Sequence, residues 1–345
     1  MTTTNRIIRF HEFGEPADVL RLEEDETPAG PLGAREVRVH LTSCAIHPSD
    51  LMNIRGRYGL VQPTLPRIPG TDAAGRIVEV GAEVSDLRPG DRVILLLGAT
   101  RGEGTWREQV RVPAAAVVKM PDNLPEANAG SVWVNYLSVW IMVQELLAVP
   151  PGGLVLQTAA GSQLGRAMME FARLRNFRLI NAVRRREQVE ELEALNGGPV
   201  LCTEDDDFVA RVRELAGEGG LRYAIDAVAG ATGAKLVEAM GVGGQIVLFG
   251  ALERGPLPLP VGAVLFKEIA IRGFWLRRWT ELAGPARHRA LVDDILRHIA
   301  QGDIVPALDT AFPFAAFRDA VRRAETPGRK GAVVLVDGDS PIDSK

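Results

Sequence analysis

The sequence predicts an α/β chain of two domains, a small β-barrel or sandwich joined to a doubly wound parallel sheet. Three observations carry this reading. At 345 residues the chain is too long for one ordinary domain. Its first part, up to about residue 125, holds short apolar strands separated by Gly and Pro turns. Near residue 126 the pattern turns helical, and beyond it strands and helices alternate, which implies parallel strand crossovers.

The strands follow in order. Ile7-Ile8-Arg9-Phe10 is strand-like, and Val37-Arg38-Val39-His40-Leu41 alternates with period two, as does Gly75–Gly81. Arg92–Leu97 is a more continuously apolar strand, set off by the Arg88-Pro89-Gly90-Asp91 turn. Residues 126 to 148 carry helical spacing. Then come a strand at Leu154–Gln157, a helix at Gln163–Arg175, a strand at Arg178–Val183 and a charged helix at Arg186–Leu195. Further strands are expected at Tyr223–Val228, Gly244–Gly250 and Ile269–Gly273. An amphipathic helix is expected at roughly 286–301, another near Phe317–Arg323, and a last strand at Ala332–Val336.

Composition narrows the function. Hydrophobic residues make up 46% and charged residues 24%, as in a soluble globular protein. The net charge of -4 gives no electrostatic case for nucleic acid or an anionic membrane. No apolar run reaches the roughly 18 residues a membrane helix needs. The N-terminus has no signal-like apolar core, so the cytoplasm is the expected location. Two cysteines far apart, Cys44 and Cys202, exclude a disulfide framework and fit a reducing compartment. Lysines are only Lys119, Lys235, Lys267, Lys330 and Lys345, so a phosphate-binding group is expected to be arginine.

Several short segments carry chemistry. The strand–helix turn Thr158–Gly165 keeps only the last glycine of a G-x-G-x-x-G template, with Ala160 and Ser162 at the other two positions. That fits a plain turn, or a helix N-terminus offering N–H groups to a pyrophosphate. The second strand of the alternating region ends Val183-Arg184-Arg185-Arg186, where an NAD site usually has an acid. Arginines there form charge-assisted hydrogen bonds with a 2'-phosphate, or else open a solvated helix. A catalytic zinc needs three protein ligands. His47 lies near Cys44, but the Pro69-Gly70-Thr71-Asp72 turn has threonine where a second ligand is needed, so no metal is expected. Tyr58, one of three tyrosines, sits in a Gly- and Arg-rich loop and is either a hydrogen-bond donor to an oxyanion or a packing residue. Gly273–Trp279 gathers aromatics that read as hinge packing or as the wall of a cleft for an apolar substrate.

Together these residues resemble the 2-enoyl thioester reductases of the medium-chain dehydrogenase/reductase superfamily, the mitochondrial trans-2-enoyl-CoA/acyl-carrier-protein reductases and their bacterial relatives. The likeness covers nearly the whole chain. It rests on His47-Pro48-Ser49-Asp50 with Tyr58 downstream, Gly104-Thr105-Trp106-Arg107-Glu108, Asn135-Tyr136-Leu137-Ser138, Ala159–Gly165, Ile180–Arg186 and Gly273-Phe274-Trp275. The last two are fairly specific to this branch, and the others are shared with quinone reductases.

The resemblance implies a GroES-like catalytic barrel over residues 1–130 and 275–345. It implies a Rossmann NADPH-binding domain over 131–274, paired as a homodimer through its sheet. Tyr58 would assist catalysis, with His47 close to the nicotinamide and Trp275 lining the pocket. NADPH would be held by Ser138, Gly161, Ser162, Gln163, Leu164, Arg184, Arg185, Arg186, Phe249, Gly250, Phe274 and Lys330. The sequence departs from the family at His47 (usually asparagine), Gly161 (asparagine), Leu164 (valine), Ser138 (threonine) and Ala332 (lysine), where Lys330 is a substitute two residues earlier. The implied activity is zinc-independent, NADPH-dependent reduction of the C=C bond of an acyl-CoA or acyl carrier protein 2-enoyl thioester. Quinone or carbonyl reduction on the same scaffold, and NADPH binding without catalysis, remain as alternatives.

Overall fold

The computed structural model describes residues 4–26, 31–60, 62–96, 98, 100, 103–195 and 197–338. The chain forms two compact units, Met1–Val134 with Asp294–Lys345, and Asn135–Asp293. The first unit begins with an antiparallel hairpin of β1 (Thr4–Phe10) and β2 (Leu20–Glu26). Then come β3 (Glu36–Ala45), β4 (Ala73–Val80), β5 (Arg92–Leu95), β6 (Gln109–Pro113) and β7 (Val117–Lys119). The strand expected over 92–97 stops at Leu95, and Leu97 lies outside the described residues.

The second unit contributes β8 (Leu154–Gln157), β9 (Arg178–Val183), β10 (Val200–Cys202), β11 (Leu221–Asp226), β12 (Met240–Leu248) and β13 (Ala270–Gly273). All pair in parallel, in the order β10-β9-β8-β11-β12-β13. Counted from β8 this is the 3-2-1-4-5-6 order of a dinucleotide-binding sheet. The helix Gln163–Arg175 has the expected bounds. Its buried residues Ala167, Met168, Phe171 and Ala172 recur at helical spacing on one face. Leu156, Ile180, Ala224 and Ile246 bring adjacent strands into one buried cluster with Phe208, Val212 and Leu236 of the covering helices.

The chain then returns to the first unit as β14 (Leu308–Pro313), the helix Phe317–Glu325 and β15 (Ala332–Val336). β15 runs antiparallel to β3 and completes a sheet ordered β14-β15-β3-β4-β5-β7, with β6 also on β3. Phe314, Phe317, Val333 and Leu335 share a core with Ile8, Val39 and Trp106, which is why the C-terminal segment belongs to the first unit.

Two helical expectations change. The segment 126–148 splits into Glu126–Ala129, Trp133–Trp140 and a π-helical turn at Ile141–Leu146. The helix expected from 286 is the second half of Leu276–Gln301, which breaks at Gly284 (φ 77) ahead of Pro285. Proline disfavours the helical conformation of the residue before it, and glycine alone accepts the positive φ freely. Glu145 ties the two halves together, accepting from Trp279 Nε1 at 2.8 Å and pairing with Arg287 at 2.9 Å. The second unit accordingly extends to Asp293, past the 274 expected from sequence.

Gly165 lets the helix Gln163–Arg175 start tight against the turn before it, because a Cβ there would overlap the Ala160 carbonyl. Gly165→Ala should therefore cost about 1–3 kcal/mol by overpacking, read as a lower denaturant midpoint. An unchanged midpoint would mean that the turn yields freely.

Candidate functional site

The second unit gathers its chemistry at the C-terminal ends of its strands. β8 and β11 are neighbours where the crossovers diverge, the place at which open α/β sheets bind ligands. Thr158, just after β8, donates from Oγ1 to Asp226 Oδ1 at 2.6 Å and accepts from the Ala227 N–H at 2.9 Å. Asp226 also accepts from the N–H groups of Val228 (2.9 Å) and Ala229 (3.1 Å). This buried junction was missed in the sequence, where the only signal is an acid ending the strand Leu221–Asp226.

Between β8 and its helix, Ala159 adopts a positive φ of 51° and the Ala160 N–H donates to Ala182 O at 3.1 Å. Ser162 caps the helix by accepting from the Gly165 N–H at 3.1 Å. Gly161 is buried, while Ser162, Gln163 and Leu164 are half-buried at the helix start. Small side chains and a 13-residue helix leave a partial positive charge facing this turn, which suits a pyrophosphate.

Arg184, Arg185 and Arg186 follow β9 at the same edge. Arg186 pairs with Asp205. Among the described residues, the Arg184 and Arg185 guanidiniums have no ion pair or hydrogen bond, while the Arg184 carbonyl accepts from the Cys202 thiol at 3.3 Å. The Glu253 carboxylate lies below its usual range because it accepts from the N–H groups of Ala231 (3.0 Å) and Thr232 (3.2 Å), and in smaller part because of Arg184. Phe249 and Gly250 follow β12, with the Phe249 N–H on Asp226 O at 3.0 Å. Phe274 follows β13 and donates to Leu248 O at 2.7 Å. The structure thus brings residues 161–164, 184–186, 249, 250 and 274 to one sheet edge.

Ser138 is buried on the helix Trp133–Trp140. Trp275 is half-buried, with the Arg277 guanidinium 6.0 Å from its ring centre. Arg277 and Arg278 both pair with Glu281, at 3.1 and 3.7 Å. Tyr136, in the same motif as Ser138, donates to Glu170 at 2.6 Å. Burial first, and then the Glu170 charge, pushes this phenol well above its ordinary range, so it stays protonated.

The first unit holds the other candidates. The helix Pro48–Ile54 starts at His47, whose N–H donates to Asp50 Oδ2 at 2.9 Å. Thr71 Oγ1 donates to Asp50 Oδ1 at 2.7 Å. The buried His47 ring meets Asp72 Oδ2 through Nε2 at 3.0 Å, and the Val134 N–H donates to the same oxygen at 2.9 Å. Asp72 Oδ1 is buried with no partner among the described residues. Burial pushes the His47 imidazole down, yet Asp72 and then Asp50 outweigh it and hold it above its ordinary value. Asp50 is raised by burial, against the pull of His47. Tyr58 sits half-buried in the bend after the helix. Lys330 is exposed ahead of β15, its N–H donating to Asp309 at 2.9 Å.

Two family descriptions match the chain, the alcohol dehydrogenase GroES-like domain over residues 33–122 and zinc-binding dehydrogenase over 164–290. The chain is 30% identical over 336 residues to the mitochondrial enoyl-acyl-carrier-protein reductase of Xenopus tropicalis, covering 95% of this chain and 94% of that one. The Rattus norvegicus protein of the same name is 28% identical over 326 residues, covering 93% and 86%. A solved structure described as an NADPH:quinone reductase of Bacillus thuringiensis is 30% identical with a TM-score of 0.88, covering 97% of this chain and 100% of that one. The mitochondrial 2-enoyl thioester reductase heterodimer of Candida tropicalis, at 20% identity and a TM-score of 0.85 over 97% and 100%, shares the fold.

The second family description names zinc, but the donor set here does not fit one. Among the described residues no three His, Cys, Asp or Glu side chains are arranged to hold a metal. His47 is engaged by Asp72. The Cys44 thiol donates to Thr105 O at 3.0 Å and is pushed up to about 12 by burial.

The raised His47 and Asp50 both mean that the folded chain binds protons the unfolded chain has released. The stability contributed by His47 is full below its unfolded value of 6.5 and lost as pH rises through the higher folded value. Unfolding temperatures measured from about pH 6 to about pH 9 should show wild-type stability falling relative to His47→Asn. A constant difference between the two proteins across that range would remove the imidazolium from this cluster.

Proposed function

The chain belongs to the medium-chain dehydrogenase/reductase family of oxidoreductases, and from that premise we propose that it reduces the C=C bond of a 2-enoyl thioester with NADPH. The observation that carries the cofactor choice is the strand end Val183-Arg184-Arg185-Arg186, where two guanidiniums are uncommitted among the described residues and no acid occupies the ribose position. The thioester is supported by the name of relatives that align along almost the whole chain.

NADPH, when bound, supplies the hydride that reaches the β-carbon. The residues at the ends of β8, β9 and β12 would hold and orient it, and the N–H groups at the start of Gln163–Arg175 would suit its pyrophosphate. Charge then develops on the thioester carbonyl oxygen, and the α-carbon needs a proton. In this proposal a hydroxyl carries that load. Tyr58, the tyrosine of the first unit and the residue the resemblance points to, is the donor. Trp275 would pack against the acyl chain.

A second reading, quinone reduction, is favoured by one observation. Arg277 and Arg278, which would suit an anionic CoA moiety, share Glu281 instead. We also propose a homodimer, in the cytoplasm, built along β13. Among the described residues that edge strand pairs only with β12, and Val261, Leu265 and Phe266 in the helix before it are 70%, 65% and 81% exposed.

Tyr58→Phe should lower kcat on crotonyl-CoA by roughly 100-fold, about 3 kcal/mol in the barrier, with NADPH affinity retained. Near-normal turnover would remove Tyr58 from the chemistry. Wild-type protein that oxidises NADPH with 1,4-benzoquinone and not with crotonyl-CoA would move the assignment to the second reading. Phe266→Glu should shift sedimentation from dimer to monomer, and an unchanged profile would place the dimer contact elsewhere.

A further inference from the structure

The three arginines after β9 are not equivalent. Arg186 is turned toward the neighbouring strand's turn, where its guanidinium pairs with Asp205. Both line a cavity of about 270 Å³ with Cys202, Phe208, Glu190 and Arg211. The Asp205 backbone is fixed at both ends of its turn, its N–H on Cys202 O at 3.3 Å and its carbonyl accepting from the Phe208 N–H at 3.2 Å. The acid is therefore a set part of the β10 turn.

This pairing bears on which cofactor is chosen. NADPH and NADH differ by one phosphate on the adenosine ribose, a group with near two negative charges and three strong acceptor oxygens. Selectivity is a difference of two affinities, so anything acting on that phosphate alone appears in full. Asp205 acts on it twice. It occupies a guanidinium that the phosphate could use, and it would add a negative charge beside a phosphate held by these arginines. NADH, whose ribose hydroxyl is uncharged, is indifferent to both. The pair is exposed, 76% on the arginine and 29% on the aspartate, so it is weak and exchangeable, and Asp205 tunes the choice without forbidding either cofactor.

We propose that Asp205 is a cofactor-specificity determinant that withholds Arg186 from the 2'-phosphate and lowers the preference for NADPH over NADH. The proposal rests on the NADPH reading above.

The test is calorimetric titration of the full-length protein with NADPH and with NADH. Asp205→Asn should tighten NADPH by roughly threefold to tenfold and leave NADH unchanged. Arg186→Gln placed on top of Asp205→Asn should erase that gain, whereas Arg186→Gln alone should change NADPH affinity by less. Asp205→Ser repeats the test should the asparagine variant fold poorly. A wild-type preference for NADPH that neither Asp205 variant increases would overturn the role of Asp205 alone. A gain that survives Arg186→Gln would overturn the withholding of Arg186. Wild-type protein that binds NADH as tightly as NADPH would overturn the NADPH reading and this inference with it.

Discussion

The C-terminal edge of the second unit depends on one buried hydrogen bond, from the Thr158 hydroxyl to the Asp226 carboxylate. A carboxylate with no exposed surface is tolerable only if its oxygens are matched, and Asp226 finds Thr158 and the N–H groups of Val228 and Ala229. Leaving one such buried group unmatched costs about 1–3 kcal/mol. The bond does more than satisfy a buried oxygen. It ties β8 to β11 at their open ends and holds residues 227–229 in a fixed path. On that path the next loop is laid down, through Leu252 N–H to Ala227 O at 3.1 Å and Glu253 N–H to Val228 O at 3.0 Å. Glu253 is thereby brought to the N–H groups of Ala231 and Thr232. One side-chain contact thus propagates into the loops after β11 and β12.

The first unit solves the same problem differently. Asp50 and Asp72 are both buried, and only Asp50 has both oxygens matched among the described residues, by the His47 N–H and the Thr71 hydroxyl. Asp72 receives one backbone N–H, from Val134, and the His47 ring. A proton on His47 offsets carboxylate charge that burial would otherwise leave poorly compensated. Burial alone would strip the imidazole of that proton, and the two carboxylates reverse the direction. A histidine where the resemblance leads one to expect asparagine is then coupled to its acidic neighbours. Its place in the fold is electrostatic, whatever part it takes in chemistry.

These two clusters mark the limit of what could be read from the sequence. Strand and helix periods are local, and they gave Leu154–Gln157, Gln163–Arg175, Arg178–Val183 and Ala332–Val336 with the observed bounds. The three-residue β10 is too short to show a period, and the helix Val261–Phe266 is apolar on all sides and mostly exposed, so neither was found. Thr158 and Asp226 are 68 residues apart, and His47 and Asp72 are 25 apart. No local pattern links such pairs, because what joins them is the order of strands. The same holds for the C-terminal return, where β15 finds its place against β3 from the other end of the chain.

The arginine run sharpens the point, since there the motif was readable and its wiring was not. Three consecutive arginines at a strand end suggest three positive charges for one phosphate. The sheet order sets β10 beside β9 and brings Asp205 to Arg186, and the loop after β12 brings Glu253 within the field of Arg184. Each acid comes from a different part of the chain and is held by backbone hydrogen bonds that serve the fold. A strand-end motif therefore states the largest positive charge a site can offer, and the neighbouring turns determine how much of it a ligand meets. Cofactor selectivity depends on that remainder, because charge already satisfied within the protein contributes equally little to NADPH and to NADH.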